Sequence, residues 1–304
     1  MIIDLHRHTW SFYQRYPQAS EIASKNPGKL DPVHAQSDPL PLVPDWKEAA
    51  LDHVNELDES GVDATVIFVA DYGLRLGEPT FTIEGENRLS AEMGRAYPDR
   101  LIPFFGIDPR RNNAVDSFER AVTDWNMKGL KIHTTVGFFP HDRVVYPFYE
   151  ICVARNLPVT FHSGPMPSPL VSRYAQPLHF DEVAADFPDL TIIMGHAGRA
   201  AWPEALNIAQ MKPNIYLELS TWQAHFDYPE DAIKAIYRMC QTIGVERVLW
   251  GSDNPGWRHA MSLKKWVGTI QDLPMTGKKF GCNFTTSDTE AILGKNAARI
   301  LGIK

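Results

Sequence analysis

Five side chains able to bind a metal ion stand where short apolar segments of the chain end. They are His6 and His8 after Ile-Ile-Asp-Leu, His162 in Thr-Phe-His-Ser-Gly, His196 in Met-Gly-His-Ala-Gly, and Asp253 in Leu-Trp-Gly-Ser-Asp-Asn-Pro. Side chains two positions apart on a strand share a face, so His6 and His8 can point together. Imidazole nitrogen and carboxylate oxygen suit zinc, and three or more such ligands beside an open position are typical of catalytic sites. The pattern predicts a metal centre.

A single pair of histidines at this spacing would be a weak indication, because two core or surface histidines can fall so by chance. The alternative is that these histidines are buried in the core, where neighbouring groups satisfy their hydrogen bonds. Polar ligands at four strand ends, each followed by a small or turn-forming residue, are far less expected from chance. We therefore expect strands one, five, six and eight to deliver their last residues to one common mouth.

Eight short apolar runs can form the strands that position these residues. Most are rich in Ile, Val, Leu and Phe on both faces, which is the pattern of parallel strands covered by helices. Strand and helix alternate eight times, which indicates a barrel or a doubly wound sheet, and the eightfold count favours a (β/α)8 TIM barrel. We interpret residues 1–304 as a single barrel domain. The predicted strands are Ile2–His8, Asp63–Ala70, Leu101–Asp108, Gly129–Thr134, Pro158–Gly164, Thr191–Gly198, Asn214–Ser220 and Arg247–Asp253.

Helical segments lie between the runs, and one long loop interrupts the alternation. Asp45 is the predicted N-cap of a first helix that stops at Gly61. The preceding loop, Thr9–Pro44, is rich in Pro, Ser, Gln and Asp, and loops of that length are usually functional. We expect it to cover the barrel mouth and to shape specificity or contact a second subunit in a homodimer; the alternative is a passive surface insertion. The predicted helices are Trp46–Ser60, Gly85–Ala96, Ala114–Trp125, Tyr146–Arg155, Asp181–Phe187, Trp202–Met211, Pro229–Ile243 and Asp288–Leu301.

Charge and composition argue against several classes of function. The formal net charge is −7 and no basic stripe occurs, so a nucleic acid is not an expected partner. No run approaches the roughly 20 apolar residues of a membrane helix. Asp4 ends the first apolar stretch too early for a signal peptide. Three widely spaced cysteines indicate neither a disulfide framework nor a paired-cysteine metal site. We expect a cytoplasmic protein that binds a small-molecule substrate.

Several motifs in combination resemble the amidohydrolase superfamily. The opening Asp4-x-His6-x-His8 and the strand ends Gly-His196-Ala-Gly and Gly-Ser-Asp253 are similar to it. More narrowly, the chain resembles the amidohydrolase-2 group, which includes aminocarboxymuconate-semialdehyde decarboxylase. The closing segment Ile292-Leu-Gly-Lys-Asn-Ala-Ala-Arg-Ile-Leu is similar to the last helix of that group. The resemblance covers nearly the whole chain.

The resemblance implies a ligand set. It implies one divalent metal ion bound by His6, His8, His162 and Asp253, with Zn²⁺ expected and Mn²⁺ as the alternative. It also implies that His196 contacts the metal-bound water or the substrate. In binuclear relatives this histidine would bind a second metal ion.

The expected chemistry uses Asp253 and His196 as the catalytic pair. A divalent ion lowers the pKa of its bound water towards 7 and polarises a substrate oxygen. Asp253 would be both a ligand and a proton shuttle, because a carboxylate beside the attacking water can take its proton. His196 would orient the water or stabilise the developing negative charge.

Three polar residues on predicted strands are secondary candidates. Lys131 and His133 share one face of the fourth strand. Lys131 could hold a substrate carboxylate or form an ion pair in the barrel, and in binuclear members of the superfamily a lysine on this strand is the carboxylated bridge. His133 could line the pocket. Glu218 carries a charge in the middle of a strand, so it should face the polar mouth and support the site.

The remaining candidates would contact the substrate. Arg199 follows His196-Ala-Gly and could clamp a substrate carboxylate through two parallel hydrogen bonds, although a surface arginine at a helix start is an equal alternative. Trp222, with Trp10 and Phe161, could line an apolar slot for a ring.

The leading interpretation is a mononuclear, zinc-type hydrolase of a small, carboxylated amide, ester or lactone. The alternative is a non-oxidative decarboxylase that uses the same centre on an aromatic or muconate-like acid. A third hypothesis, of another class, is a barrel that binds metal but has lost catalysis. The intact set of four histidines and Asp253 argues against it.

Overall fold

The computed structural model describes residues 1–16 and 41–303, and within them eight parallel strands form one sheet in sequence order. The last strand returns to the first, because Leu5 N donates to Trp250 O (3.1 Å) and Asp253 N donates to His6 O (2.7 Å). This closure confirms the predicted (β/α)8 TIM barrel. The strands are β1 Ile3–His8, β2 Ala64–Phe68, β3 Leu101–Gly106, β4 Leu130–Ile132, β5 Val159–His162, β6 Ile192–Gly195, β7 Ile215–Glu218 and β8 Val248–Leu249.

Most strands are shorter than predicted at their carboxyl ends. Strand β8 holds only Val248–Leu249, whereas the apolar run indicated Arg247–Asp253. Asp253 has a φ of 58°, in the left-handed region, and a strand cannot continue through that conformation. The residues that the prediction added to the strands instead form the loops at the barrel mouth.

The first long helix, Trp46–Ser60, has the predicted bounds. The Asp45 side chain accepts hydrogen bonds from Lys47 N and Glu48 N, and the helix ends at Gly61, whose φ of 68° suits glycine. The helices of the described residues are Phe12–Arg15, Trp46–Ser60, Gly73–Leu76, Ile83–Ala96, Ala114–Thr123, Tyr146–Arg155, Phe180–Asp186, Trp202–Met211, Pro229–Ile243, Leu263–Gln271, Leu273–Thr276, Thr286–Glu290 and Asn296–Leu301.

The end of the chain departs from the prediction. The single expected helix, Asp288–Leu301, is two short helices joined by a π-helical turn at Ala291–Lys295. A Cβ on Gly294 would come within 2.2 Å of the Met1 carbonyl oxygen, so the turn packs directly on the N-terminal backbone. The helix Leu263–Gln271 was missed, although Ser262 caps it and four apolar residues at helical spacing are buried: Leu263, Trp266, Val267 and Ile270.

Strand side chains contribute to two buried apolar clusters. The larger cluster takes in residues from the strands and from the surrounding helices, including Trp222, Trp250 and Trp266. The smaller one joins side chains of β1, β2, β3, β6 and β8 to Ala297 of the last helix. Burial of both strand faces explains why the apolar runs predicted parallel strands.

Among the described helices, none is long and apolar enough to cross a membrane. The single-domain organisation, the cytoplasmic location, the homodimer and the exclusion of nucleic acid stay predictions.

Candidate metal centre and cavity

The carboxyl ends of four strands bring the five candidate metal-binding side chains together. His6 and His8 end β1, His162 ends β5, His196 directly follows β6, and Asp253 lies in the loop after β8. The imidazole centres of His6 and His196 are 4.7 Å apart, and those of His162 and His196 are 4.6 Å apart. All five except His8 are buried.

The candidate donor atoms of these residues form one group of three and further close pairs. Asp253 Oδ1 lies 3.0 Å from His8 Nε2 and 3.4 Å from His6 Nε2. His196 Nε2 lies 3.0 Å from His162 Nδ1. One donor atom each from His6, His196 and Asp253 lie within 4.8 Å of one another. His196, which the resemblance places outside the ligand set, is therefore as central as the expected ligands.

Glu218 determines which nitrogen of His6 faces the centre. Its Oε2 is 2.8 Å from His6 Nδ1, and a carboxylate can only accept there, so Nδ1 carries the proton. The lone pair of His6 then lies on Nε2, towards Asp253. A carboxylate behind a histidine is the usual arrangement around metal-binding imidazoles. Glu218 thus has the supporting position that its place in the strand indicated.

His196 and His162 direct two lone pairs at each other. Ser220 Oγ donates to Glu218 Oε2 (2.7 Å), so it accepts from His196 Nδ1–H (2.8 Å), and His196 Nε2 has no proton. His162 Nε2 faces the Gly164 carbonyl (3.2 Å) and must donate to it, which leaves His162 Nδ1 without a proton. Burial lowers the pKa of both imidazoles well below the usual value, so neither ring is charged. Such lone pairs repel unless a cation lies beside them.

The donor set fits a divalent metal ion. Burial also lowers the pKa of His6 and His8, and the neutral imidazole is the form that binds metal. Burial raises the pKa of Asp253, but the hydrogen bond with His8 and the charge interaction with His6 outweigh it and leave the pKa below the usual value. Neutral imidazoles around one carboxylate match the ligand preferences of zinc.

Lys131 and His133 form the inner wall beside the centre. Lys131 Nζ lies 3.3 Å from His6 Nε2 and 4.4 Å from the ring centre of Phe68. Burial lowers the pKa of Lys131 to about 8, while Asp253 and Glu218 act against that shift. The His133 ring stacks on His162 at 4.3 Å. Lys131 lies in β4 and His133 directly follows it, and both line the cavity.

The backbone that carries Asp253 is held by a buried acid. Ser252 N and Ser252 Oγ both donate to the Asp4 carboxylate, at 2.8 and 2.6 Å, and Asn254 N donates to Ser252 Oγ at 3.1 Å. Burial raises the pKa of Asp4 to about 6, although Arg7 acts in the opposite direction. The first residue of the Asp4-x-His6-x-His8 motif therefore positions the loop that carries Asp253.

The turn after β6 is strained. His196, Ala197, Gly198 and Arg199 all have positive φ values, between 44° and 75°. Gly198 N donates to Ser163 Oγ (3.0 Å), and the turn is further held by hydrogen bonds to neighbouring strand ends. Backbone strain of this kind persists only where surrounding contacts over-determine it, and it is concentrated at functional sites.

A cavity of about 820 Å³ opens above these residues. It is lined by His8, Lys131, His133, His162, His196, Asp253 and Arg199, and by aromatic residues that include Trp10, Phe12, Tyr72, His225 and Trp257. The Arg199 guanidinium lies 5.2 Å from the ring centre of Trp257, and its closest polar contact is the Pro165 carbonyl oxygen at 3.5 Å. No carboxylate pairs with Arg199 within residues 1–16 and 41–303. A half-buried cation without a carboxylate partner suits an anionic ligand.

Two aromatic residues expected in the cavity lie elsewhere. Trp222 is fully buried, and its Nε1 donates to the carbonyl oxygen of His196 (2.9 Å), so it supports the strained turn instead of touching a ligand. Phe161 points away from the barrel interior, because its neighbour His162 points inwards, and it packs on Phe180 at 5.0 Å. The expected slot for a ring is therefore formed by other residues.

Several cavity residues were missed by the sequence analysis, among them Tyr72, Arg15 and Trp257. Tyr72 follows β2 in Val-Ala-Asp-Tyr-Gly, Arg15 ends the short helix after β1, and Trp257 follows Asp253-Asn-Pro-Gly. Their position just after a strand was the available signal, because side chains there face the barrel mouth.

The described start of the long loop lies where the prediction places it. Trp10, Ser11, Phe12 and Arg15 all line the cavity. Arg15 Nε donates to Glu86 Oε2 (2.7 Å), which ties this segment to the helix Ile83–Ala96. Residues 17–40 of the loop lie outside the described residues.

Comparisons with known proteins agree with this architecture. The amidohydrolase-2 family model, described as Amidohydrolase, matches residues 3–303. The search of curated proteins finds no match.

Solved structures with the same fold are distant in sequence. An uncharacterised TIM-barrel protein from Bordetella bronchiseptica is 22% identical, covers 99% of this chain and 98% of its own, and has a TM-score of 0.68. An amidohydrolase from Burkholderia multivorans with bound zinc is 17% identical, with full coverage of both chains (100%) and a TM-score of 0.68.

A third structure is 5-carboxyvanillate decarboxylase from Novosphingobium aromaticivorans, in complex with manganese and 4-hydroxy-3-methoxy-5-nitrobenzoic acid. It is 14% identical, covers 100% of this chain and 96% of its own, and has a TM-score of 0.65. Because the family model spans 3–303 of the 304 residues, the chain belongs to the amidohydrolase-2 family.

Proposed function

We propose that this protein is a metal-dependent hydrolase of a small, carboxylated amide, ester or lactone. The observation that carries the proposal is that donor atoms of His6, His196 and Asp253 lie within 4.8 Å of one another, with His162 Nδ1 3.0 Å from His196 Nε2, beside a cavity that Arg199 also lines. A cavity of this size accepts a small organic molecule.

His6, His8, His162 and Asp253 would hold one divalent metal ion. Such an ion supplies Lewis-acid polarisation of a carbonyl oxygen and lowers the pKa of water. Zinc is the proposed ion because imidazoles dominate the donor set, and Mn²⁺ is the alternative. The zinc-containing amidohydrolase and the manganese-containing decarboxylase described above support both options.

Asp253 and His196 would move and orient the proton of the attacking water. The Asp253 carboxylate borders the cavity and can accept that proton. His196 turns Nε2 to the same point, with its other nitrogen fixed by Ser220, so the ring can orient the water. Both positions are preorganised, because hydrogen bonds from neighbouring strand ends hold them.

Arg199 would bind a carboxylate of the substrate. Its guanidinium offers parallel donors that match a carboxylate, and its face is covered by Trp257. Lys131 and His133 would line the inner end of the cavity, where they lie beside His6 and His162.

Decarboxylation of an aromatic acid is the second candidate. The aromatic lining of the cavity, together with the unpaired Arg199, favours a flat, anionic ligand. The complex of the related decarboxylase with a nitrobenzoic acid supports the same option. Hydrolysis remains our first choice, because the Asp253 carboxylate at the centre is a proton acceptor suited to activating water.

A product-resolved screen tests the two candidates. Purified, zinc-loaded protein would be incubated with carboxylated lactones, esters and amides, and separately with hydroxylated benzoates, while acid release and carbon dioxide are both measured. We expect hydrolysis of at least one compound of the first class, and its loss in Asp253→Asn. Carbon dioxide release from a benzoate, with no hydrolysis of any compound, would replace our first choice with the decarboxylase.

A further inference from the structure

The aromatic ring of Tyr72 packs against three other rings on the cavity wall. Its ring lies 4.6 Å from the ring centre of His133, 5.3 Å from Phe12 and 5.6 Å from Tyr16, and each contact is edge-on or close to it. Only 5% of Tyr72 is exposed, and that part faces the cavity. A ring held on three sides has few orientations left for its hydroxyl group.

The backbone around Tyr72 is held as well. Tyr72 N donates to the Tyr16 hydroxyl (2.8 Å). The preceding Asp71 accepts hydrogen bonds from Gly73 N (3.0 Å) and from Asp108 N (2.8 Å), at the ends of two neighbouring segments. The position of Tyr72 is therefore determined before any ligand enters.

The hydroxyl group of Tyr72 has no hydrogen-bond partner among the described residues. It is not one of the buried polar atoms that lack a partner, so it is accessible from the cavity that Tyr72 lines. Tyr72 lines the same cavity as His8, His162, His196 and Asp253, so it borders the space beside the candidate metal centre.

The neighbouring cation is already occupied. Arg15 Nε donates to Glu86 Oε2 and Arg15 Nη1 donates to the Ala70 carbonyl oxygen, both at 2.7 Å. These Arg15 donors are therefore already used, whereas the Tyr72 hydroxyl has no partner among the described residues. A ligand oxygen that enters between Tyr72 and Asp253 would accept a hydrogen bond from this hydroxyl.

We propose that the Tyr72 hydroxyl donates a hydrogen bond to the substrate oxygen that becomes negatively charged during the reaction, which makes Tyr72 a catalytic residue. The inference rests on the proposed function, since it assumes that a carbonyl, carboxyl or phenolic oxygen reaches Asp253. Burial raises the pKa of Tyr72 above its usual value, an effect that Arg15 opposes, so the phenol keeps its proton and acts as a donor. A preorganised donor of this kind stabilises developing charge.

The test uses benzohydroxamate, a flat ring with a metal-chelating anionic head, and needs no turnover. Its dissociation constant for the zinc-loaded protein would be measured by calorimetry in the wild type and in Tyr72→Phe, which removes only the hydroxyl. A hydrogen bond to a charged group contributes enough that we expect binding to weaken about tenfold or more. Zinc content and Tm should stay close to those of the wild type.

Tyr146→Phe is the matched control. Tyr146 is also largely buried, but its hydroxyl donates to Asp186 (2.6 Å) on a helix outside the barrel, so its loss should leave benzohydroxamate affinity unchanged. Equal affinity in the wild type and Tyr72→Phe, or no binding by the zinc-loaded wild type, would overturn the proposal. Because the readout is affinity, failure of hydrolysis in the substrate screen does not decide this test.

Discussion

At the scale of single residues, Glu218 connects the histidines of two strands. Its Oε2 binds His6 Nδ1 and Ser220 Oγ, and Ser220 in turn binds His196 Nδ1. Burial raises the pKa of Glu218 to about 7, while the hydrogen bonds from Ser220 and from His196 N act in the opposite direction. One carboxylate therefore turns the lone pairs of two imidazoles towards the centre.

Glu218→Gln should weaken metal binding about 10- to 100-fold, the range typical for loss of a partner behind a metal-binding histidine. The amide is a weaker acceptor for His6 Nδ1–H, and it can also donate, so the tautomer of His6 is no longer determined. Competition with a coloured chelator would measure the dissociation constant of zinc. Glu230→Gln removes a surface carboxylate that binds Lys234 and should leave that constant unchanged; an equal effect of both substitutions would contradict this role of Glu218.

The role of His196 is open to a direct test at the same scale. His196→Ala should retain one metal ion per chain and reduce turnover by a factor of about 10² or more, as expected for loss of an orienting or charge-stabilising group. Elemental analysis and steady-state kinetics on the substrate found by the screen are the measurements. Loss of the metal ion from His196→Ala would instead show that His196 is a ligand. Its donor atom lies close enough to those of His6 and Asp253 for this.

At the scale of elements, the site depends on turns that follow strands. Gly198 lies in the left-handed turn after β6, between His196 and Arg199. Its φ is 75°, and a Cβ there would lie 3.1 Å from Pro177 Cγ and 3.3 Å from Ala205 Cβ. A side chain at this position is opposed both by the backbone conformation and by its neighbours.

Gly198→Ala should lower the free energy of unfolding by more than the roughly 1–2 kcal/mol expected from a left-handed conformation alone. Gly61→Ala is the matched control, because Gly61 has a φ of 68° but no heavy atom within 4 Å of the added Cβ. Urea denaturation of both variants separates the crowding from the backbone effect. If Gly61→Ala were as destabilising as Gly198→Ala, the packing of this turn would not be tight.

The contact between the helix Trp46–Ser60 and β1 contains a buried histidine. His53 Nδ1 accepts from Arg7 Nη1 (3.3 Å), and His53 Nε2 donates to the Thr9 carbonyl oxygen (3.0 Å). Burial, and then the charge of Arg7, lower the pKa of His53 to about 3. The folded protein holds this ring neutral, whereas the unfolded chain protonates it near pH 6.5.

Between about pH 6.5 and pH 3 the unfolded state therefore binds a proton that the folded state does not, so His53 should lower the stability as pH falls through this range. Above pH 6.5 the contribution is constant. His53→Gln keeps a donor for the Thr9 carbonyl and an acceptor for Arg7, but it loses the buried imidazole ring, so we expect it to be less stable than the wild type at pH 7. The stability difference should shrink by about 1.4 kcal/mol per pH unit below pH 6. Denaturation curves at pH 4, 5, 6 and 7 would measure it; a constant difference would contradict the low pKa.

At the scale of the whole molecule, the centre joins parts of the chain that are far apart in sequence. Its five side chains come from β1, β5, β6 and the loop after β8, and the contact between Asp253 N and His6 O closes the barrel. A bound metal ion would therefore stabilise the complete barrel and not a single element.

Removal of metal should lower Tm. Binding at 100 times the dissociation constant stabilises the folded state by about 2.7 kcal/mol. For a chain of 304 residues this corresponds to a Tm shift of roughly 4 °C. Scanning calorimetry with and without a chelator would measure the shift, and re-addition of zinc should restore Tm. Asp253→Ala should abolish the shift, and a chelator effect of equal size in this variant would place the stabilising ion elsewhere.

The sequence by itself determined the barrel and the face on which the site lies. Parallel strands buried on both faces produce apolar runs, and the period of two along β1 puts His6 and His8 on one side, so both features can be derived from residue types and spacing. The predicted family, the predicted barrel and the predicted bounds of helices such as Trp46–Ser60 were all confirmed.

Only the tertiary structure decided how the side chains meet. The orientation of Phe161, the hydrogen bond of Trp222 to the His196 carbonyl and the ring packing around Tyr72 depend on neighbours from other strands. The lone pair on His6 Nε2 depends on Glu218, which is 212 positions away in the chain. Such contacts join residues distant in sequence, and no local periodicity encodes their distances; that is why the site's location followed from the sequence and its protonation and lining did not.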